Sequence, residues 1–158
     1  MGEREIPYSI AAATARADAR DELRRTPRGA LLNQWAADDL GARPGDPIAL
    51  TYFVEGAAGG LDEETTTLTV AGFVAMDDPD VDTGIVPEFP GIAKAESIGE
   101  WDPPFPLDLG RIRPEDEDYW DRWRAAPKAF VSFETAWTLW GRRYGTAMSV
   151  VGDRFPMA

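Results

Sequence analysis

Residues 30–54, ALLNQWAADDLGARPGDPIALTYFV, predict one complete strand-helix-strand unit around which the rest of the chain is arranged. The apolar residues 30–32 are typical of a short buried strand. Asn33 is suited to cap the helix that follows, because its side chain can accept a hydrogen bond from a free amide of the first turn. Gly41 suits a left-handed exit from that helix, and a second strand is expected from Ile48.

A second stretch, residues 129–151, AFVSFETAWTLWGRRYGTAMSVV, repeats this order of strand, helix, turn and strand. Aligning the two stretches brings the same glycine pair to the same spacing, Gly41 with Gly45 and Gly141 with Gly145. We therefore expect both units to end a helix and to begin a strand with the same turn chemistry.

Length and composition predict a folded domain with a packed core. The chain has 158 residues, 44% of them hydrophobic, with 6 Trp, 7 Phe and 4 Tyr. A chain of this length suits one domain or two small lobes and buries roughly two thirds of its unfolded surface. Its formal charge of -12, from 28 acidic and 16 basic residues, would repel phosphate backbones. Nucleic acid is therefore not an expected partner.

The chain contains no Cys and no His, which narrows the chemistry it can perform. Without Cys there is no disulfide and no thiolate, and without His the commonest general base and transition-metal ligand are missing. Serine hydrolase chemistry fails for the same reason, so the serines are expected to cap helices or to lie in strands. We expect no enzyme activity, no catalytic residue, no cofactor and no metal.

Neither a membrane-spanning segment nor a signal peptide is predicted. No apolar run approaches the roughly 20 residues that cross a bilayer. The first residues, MGERE, lack the basic start and apolar middle of a signal peptide. The sequence is therefore expected to be soluble, or a soluble piece of a longer protein.

Local patterns predict four further features, one of which includes the second strand of the first unit. They are a strand over residues 6–13, a solvated helix or linker over 16–29, a long hairpin of 48–54 with 65–76, and a short helix over 115–124. Residues 77–127 differ in texture, with many prolines, an acidic run and several tryptophans, and are interpreted as an insertion between the two halves of the core. A loop of that length without a role would be unusual in a compact domain.

Two groups of acidic residues are candidate sites that the sequence does not favour. Asp78, Asp80 and Asp82 alternate as in a calcium loop, but the glycine falls one place late for an EF-hand and no closing Glu follows. A solvated acidic turn is the preferred interpretation. Carboxylate pairs of the glycosidase kind are also present, Glu100 with Asp102 and Glu115 with Asp118, but 28 acidic residues produce such pairs by chance.

A set of aromatic residues within the insertion has two interpretations. It comprises Trp101, Phe105, Tyr119, Trp120 and Trp123, the last three expected on one side of the short helix. Because Trp and Tyr concentrate at interfaces, these rings are candidate partner-facing residues. The alternative, which we prefer, is that they form the small core of a segment with little regular structure, and some rings can serve both purposes.

The order of these segments resembles a family of bacterial membrane proteins. Residues 31–41, LLNQWAADDLG, then 44–46, PGD, and an apolar strand resemble the "LN…LA…LG…GD" element in extracytoplasmic domains of FtsX-like and MacB-like ABC transporter permeases. Residues 69–74, TVAGFV, are similar to the strand that follows it. Other segments are similar to a large bacterial branch of these permeases, namely residues 8–9, 101–106, 116–120 and 127–131. The resemblance covers most of residues 6–151.

This resemblance implies a domain of two lobes between the first and second transmembrane helices of a permease. The porter-like lobe, built of strand-helix-strand units, would comprise residues 6–76 and 128–151, and residues 77–127 would form the inserted lobe. Residues 1–5 and 152–158 would be tails, with both ends of the domain near each other and facing the bilayer. The expected fold class is α+β, with a mixed or antiparallel sheet and an irregular proline- and aromatic-rich insertion.

The resemblance also implies a non-catalytic role at the extracytoplasmic, periplasmic face of a bacterial inner membrane. ATP would be hydrolysed on a cytoplasmic subunit, and the transmembrane helices of the parent chain would carry motion to this domain. A second permease copy and a periplasmic partner or cargo are further implied partners. Residues 30–54 and 129–151 would lie near the membrane, with 77–127 facing the partner or cargo.

Two rival functions come from other classes. One is a stand-alone carbohydrate- or peptide-binding module that uses the aromatic insertion as a stacking platform. The other, less favoured, is a hydrolase built on a carboxylate pair.

Overall fold

The computed structural model of the chain describes residues 4–86, 88, 90–103 and 105–141. Across these residues five β-strands form one sheet and five α-helices accompany it, so the predicted α+β class is confirmed. The strands are β1 (Ala11–Ala12), β2 (Gly29–Asn33), β3 (Pro47–Glu55), β4 (Leu61–Val74) and β5 (Ala129–Val131). The helices are α1 (Ala15–Asp18), α2 (Asp21–Arg25), α3 (Gln34–Leu40), α4 (Pro114–Trp123) and α5 (Phe133–Trp140). Short 3-10 helices cover Thr83–Ile85, Ile98–Glu100 and Leu109–Arg111.

The sheet is mixed, with the strand order β1-β5-β2-β4-β3. The pairs β1 with β5 and β2 with β4 are parallel, whereas β5 with β2 and β3 with β4 are antiparallel. Every residue of β2 is buried, which agrees with its central place and with the apolar sequence of residues 30–32. The strand that decides the fold is therefore also the middle of the sheet.

The helices of the two predicted units begin with the same cap. Asn33 and Ser132 both have φ -66 and ψ 157. The Asn33 side chain accepts a hydrogen bond from the Ala36 amide at 2.8 Å, and Ser132 accepts one from the Thr135 amide at 3.0 Å. The predicted cap at Asn33 is confirmed, and Ser132 is a capping serine as expected.

The ends of these two helices differ, so the expectation of identical turn chemistry is wrong. Gly41 has φ 64, the predicted left-handed exit, and its neighbour Ala42 bonds back to the Ala37 carbonyl. Gly141 instead has φ -76. A Cβ at Gly141 would collide with the Trp137 ring, so glycine provides space there and not a left-handed turn. The strand expected at the end of the second unit and the tail 152–158 lie outside the described residues.

Predictions for the other elements succeeded where the local signal was strong. The hairpin is confirmed as β3 and β4, and the short helix before residue 124 is confirmed as α4. The strand predicted over residues 6–13 is wrong for most of its length, since only β1 is a strand. Pro7 has no amide to donate and Tyr8 has φ 48, so extended pairing cannot start earlier. Residues 16–29 contain two short helices and the start of β2.

Residues of the 77–127 segment contribute to two hydrophobic clusters. Tyr119 and Ala126 pack in the same cluster as Leu31 of β2 and Phe130 of β5. A second cluster consists of residues from this segment alone, built on Ile92, Ile98 and Trp120 with partly buried neighbours. The segment therefore has a small core of its own and also packs on the sheet.

Candidate functional site

The most polar part of the interior surrounds Asn33, where β2 passes into α3. Asn33 is completely buried. Its Nδ2 donates to the Tyr119 hydroxyl and to the Pro127 carbonyl, both at 3.0 Å, and the Tyr119 hydroxyl donates to the Ala126 carbonyl at 2.8 Å. Burial raises the pKa of Tyr119 far above its usual range, although the hydrogen bond from Asn33 acts to lower it. Tyr119 is thus a neutral connector between α4 and β2.

Lys128 lies against two aromatic rings directly before β5. Its Nζ is 4.8 Å from the centroid of the Trp35 ring and 4.3 Å from that of Tyr119. The residue is only 7% exposed. Burial lowers the pKa of Lys128 to about 8, while the nearby Asp116 carboxylate acts to raise it. The rings therefore hold an amine that gives up its proton more easily than an exposed lysine.

A charged bridge joins α3 to α4. The Arg113 guanidinium donates to Asp116 through Nε at 3.0 Å and through Nη2 at 2.8 Å, and to Asp39 through Nη2 at 2.9 Å. Asp116 is 1% exposed, and its Oδ2 also accepts the Arg113 amide at 2.9 Å. The hydrogen bonds with Asp116 raise the pKa of Arg113 above its already high value. Arg113 is consequently a permanent positive charge held in one orientation.

An open cleft of about 460 Å³ lies beside this bridge. Its lining residues come from the N-terminal segment, from α3 and from the chain before α4: Arg4, Glu5, Pro7, Asp39, Arg111 and Arg113. Arg111 forms an ion pair with Glu5, and its guanidinium lies 5.6 Å from the centroid of the Tyr8 ring. This cleft was not predicted from the sequence, because its arginines have no recognisable spacing.

The structure divides the aromatic residues expected to face a partner. Trp120 packs edge-on against Trp101 with centroids 5.0 Å apart, whereas Tyr119 packs on Trp123 at 5.1 Å. Phe105 is separate from both pairs and contacts Phe53 of β3 at 5.2 Å. Because successive residues of a helix point about 100° apart, Trp120 does not share a cluster with Tyr119, contrary to expectation.

Exposure further separates these rings. Tyr119 and Trp120 are 2% and 3% exposed, so both are interior residues in this conformation. Trp101, Phe105 and Trp123 are half-buried and retain some accessible surface. Sequence reasoning missed Trp35, whose ring lies 4.7 Å from that of Tyr119. The sequence did place Trp35 in the first turn of the helix capped by Asn33, and this position could have marked it as a neighbour of the buried cap.

The acidic residues considered as sites have local structural roles. Asp78 forms a 2.5 Å ion pair with Arg20, and Asp82 accepts the Gly84 amide at 2.9 Å. In the described part of the chain, no group of three Asp, Glu, His or Cys residues is placed to hold a metal ion. The two carboxylate pairs, Glu100 with Asp102 and Glu115 with Asp118, are exposed.

The Lys128 environment predicts a pH dependence of stability. Because its pKa falls from 10.5 to about 8 on folding, the unfolded chain binds the proton more readily between these values. Stability should therefore rise with pH by roughly 2 kcal/mol between pH 8 and 10, and the same amount is lost as the pH falls back from 10 to 8. Urea unfolding at several pH values would measure the rise. Above pH 10, ionisation of tyrosine in the unfolded chain opposes it, since the pKa of Tyr119 is raised on folding.

Two lysine variants provide the control for this prediction. In Lys128→Met the rise of stability with pH should be absent. Lys94→Met changes the other lysine of the sequence, which is exposed, and should keep the rise. An equal pH dependence in both variants would contradict the assignment to Lys128.

Comparisons with known proteins do not assign this arrangement. No protein-family model matches the chain, and no match is found among curated proteins or solved structures. Among the helices that the structure describes, none has the length and apolar character needed to cross a bilayer. A functional proposal therefore depends on the sequence resemblance and on the geometry of the satisfied polar core and its neighbouring cleft.

Proposed function

We propose that the chain is a non-catalytic extracytoplasmic domain of an ABC transporter permease of the FtsX-like and MacB-like kind. In this role it transmits ATP-driven motion from the membrane and contacts a partner or cargo. The observation that carries the proposal is the pairing of the two capped units. In the sheet, β2 lies antiparallel to β5, with Ala30 opposite Val131, and each strand leads directly into a capped helix. This arrangement supports a porter-like lobe of strand-helix elements from both ends of the sequence.

Transmission of motion requires a body that does not deform under load, and the polar core supports this requirement. Asn33 and Tyr119 are 86 residues apart in sequence, yet they are hydrogen-bonded in the interior. Arg113 joins α4 to Asp39 of α3 across 74 residues. These contacts attach the 77–127 segment to the central strand, so that both would move together.

The placement of the first and last described strands is consistent with a loop domain anchored at both ends. Ala11 and Ala12 of β1 pair in parallel with Ala129 and Phe130 of β5. After β5, the helix α5 packs back on the sheet, with Ala136 and Trp140 against the cluster that contains Ala30. The helix ends at the opposite edge of the sheet from β1, where the Trp140 ring lies 6.0 Å from that of Tyr52 in β3. The adjacent placement of β1 and β5, and not the path of α5, is therefore what supports a domain whose two ends are near each other.

Within the proposed permease, the partners are the transmembrane helices of the parent chain, a cytoplasmic ATPase subunit and a second permease copy. Residues 30–54 and 129–151 lie near the membrane in this arrangement, and residues 77–127 face the periplasmic partner or cargo. The surface of α4 is one part of that segment that is open to contact, since Glu115 and Asp118 are exposed.

Cysteine crosslinking in the parent protein tests this orientation. The chain has no cysteine of its own, so single cysteines provide unambiguous attachment points. We expect Asp118→Cys on α4 to crosslink to the partner or cargo in membranes, and the matched exposed variant Glu134→Cys on α5 not to do so. Crosslinks to partner or cargo that arise only from residues 30–54 would refute the assignment.

The parent gene distinguishes the proposal from its main rival. Transmembrane segments encoded on both sides of this sequence support the permease. A complete short reading frame for this chain alone would instead support a stand-alone carbohydrate- or peptide-binding module. An activity lost in Glu100→Gln or Asp102→Asn against a glycan panel would favour the hydrolase interpretation over both.

A further inference from the structure

Basic residues are a minority in this acidic chain, yet three arginines meet in one cleft. The chain has 16 basic against 28 acidic residues, and Arg4, Arg111 and Arg113 all line the same opening of about 460 Å³. Guanidinium groups bind carboxylate and phosphate oxygens through paired N–H donors. We propose that this cleft binds a small anionic group, a carboxylate or a phosphate, for which the Glu5 carboxylate competes at Arg111.

Arg113 forms the fixed wall of the site. Its hydrogen bonds to Asp39 and Asp116 use most of its donors, and the two carboxylates outweigh its single positive charge. Arg113 therefore positions the cleft without itself supplying the main attraction for an anion. That attraction must come from the two arginines at the opening.

Arg4 and Arg111 have donors to spare. In the described part of the chain, the Arg4 guanidinium has one hydrogen-bond acceptor, the Asp39 carbonyl at 3.3 Å from Nη1. Arg111 is paired with Glu5, and the two side chains are 47% and 59% exposed. An ion pair this exposed contributes little to stability because water screens it. An external carboxylate or phosphate can therefore replace Glu5 at small cost.

The N-terminal segment is bent so that it borders the cleft. Tyr8 has φ 48, a left-handed conformation that a tyrosine rarely adopts and that is often associated with functional sites. Its hydroxyl accepts the Asp108 amide at 2.7 Å, and its ring lies beneath the Arg111 guanidinium. These contacts fix the ring that orients Arg111 and bring Arg4 and Glu5 to the opening.

The size and the overall charge define the class of ligand. A cleft of about 460 Å³ has the volume of an ordinary small-molecule site. The net charge of -12 opposes large polyanions at long range, whereas a small anion in the cleft experiences mainly the local charge, to which Arg4, Arg111 and Arg113 contribute three positive charges and Glu5 and Asp39 two negative ones. The expected ligand is thus a free small anion or a single phosphate headgroup of a lipid.

The test is an NMR titration of the ¹⁵N-labelled chain with inorganic phosphate at low ionic strength, followed at the amides of residues 4–6, 8 and 108–113. We expect saturable shifts at these amides. Arg4→Gln combined with Arg111→Gln should weaken binding at least about tenfold. Glu5→Gln should strengthen binding several-fold, because the competing carboxylate is removed.

Matched variants separate site binding from general charge effects. Arg24→Gln on α2 removes a positive charge, as Arg111→Gln does, and Glu134→Gln on α5 removes a negative charge, as Glu5→Gln does. Both positions are exposed, and both variants should leave the affinity for phosphate unchanged. Thermal unfolding of each variant shows whether the fold is retained, and Arg111→Lys provides a second variant that keeps the charge without the paired donors. Unshifted amides, equal weakening by Arg24→Gln, or no strengthening by Glu5→Gln would overturn the proposal.

The same variants identify the source of the anion. Vesicles of phosphatidylglycerol are compared with vesicles of phosphatidylcholine, and glycerol phosphate serves as the soluble headgroup. Vesicle binding that depends on Arg4 and Arg111 assigns the site to a lipid headgroup. Phosphate binding without vesicle binding assigns it to a free anion. Because the phosphate titration does not depend on a membrane context, its failure is distinguishable from failure of the permease proposal.

Discussion

Asn33→Ala is expected to reduce the free energy of unfolding by about 4 kcal/mol. The substitution removes the cap of α3, which contributes about 1 kcal/mol. It also leaves the Pro127 carbonyl and the Tyr119 hydroxyl without their buried donor, at about 1–3 kcal/mol each. In a domain of this size the melting temperature should fall by roughly 10 °C. Urea unfolding at pH 7 measures the change.

Ser132→Ala is the matched control for this prediction. Ser132 has the same backbone conformation as Asn33 and caps α5 in the same way, but its side chain is only half-buried. Its loss should cost about 1 kcal/mol, which is the contribution of the cap alone. If the two substitutions destabilise the chain equally, the buried hydrogen bonds of Asn33 have no net effect and the rigid-core argument fails.

Asp116→Asn is expected to destabilise the fold by about 3 kcal/mol and to lower the pKa of Lys128 below 8. Asp116 is 1% exposed and is the main group that acts against the effect of burial on the amine of Lys128. Removing one charge from a buried pair leaves its partners without compensation, which costs several kcal/mol. We expect a loss of stability at the lower end of this range, because Arg113 still has the Asp39 carboxylate as a partner. Urea unfolding gives the first quantity, and NMR titration of the Lys128 side chain gives the second.

Asp39→Asn tests whether the position of a carboxylate, and not its charge alone, decides its effect on stability and on the pKa of Lys128. Asp39 binds the same guanidinium, but it is 16% exposed and has a weaker influence on Lys128. We expect a smaller loss of stability and a smaller shift in the pKa of Lys128. An unchanged Lys128 titration in Asp116→Asn would show that this carboxylate does not act on the amine.

The elements that were predicted correctly are those specified by residues close to one another in the sequence. The Asn33 cap depends on an amide three residues later, and the Gly41 exit depends on the preceding turn of the same helix. The long hairpin and α4 are also marked by local composition. The strand expected over residues 6–13 failed because pairing depends on a partner strand, which the sequence near Tyr8 does not reveal.

The candidate site was the least predictable part of the molecule. Nothing in the spacing of Asn33 and Tyr119 indicates that they meet, since Asn33 bonds to Tyr119 across 86 positions and to Pro127 across 94. The arginines of the cleft come from two distant segments for the same reason. For Tyr119 and Trp120 the sequence left both an interface and a core interpretation open, with the core preferred, and packing places both rings in the interior.

The sequence by itself determined the α+β class, the two capped helices and the hairpin, because hydrogen bonds between near neighbours and alternating apolar residues specify these elements. Only the tertiary structure decided the strand order, the buried hydrogen bonds of Asn33 and the lowered pKa of Lys128. Those properties depend on the removal of water from buried groups and on contacts between distant segments. Both arise only when the chain has folded.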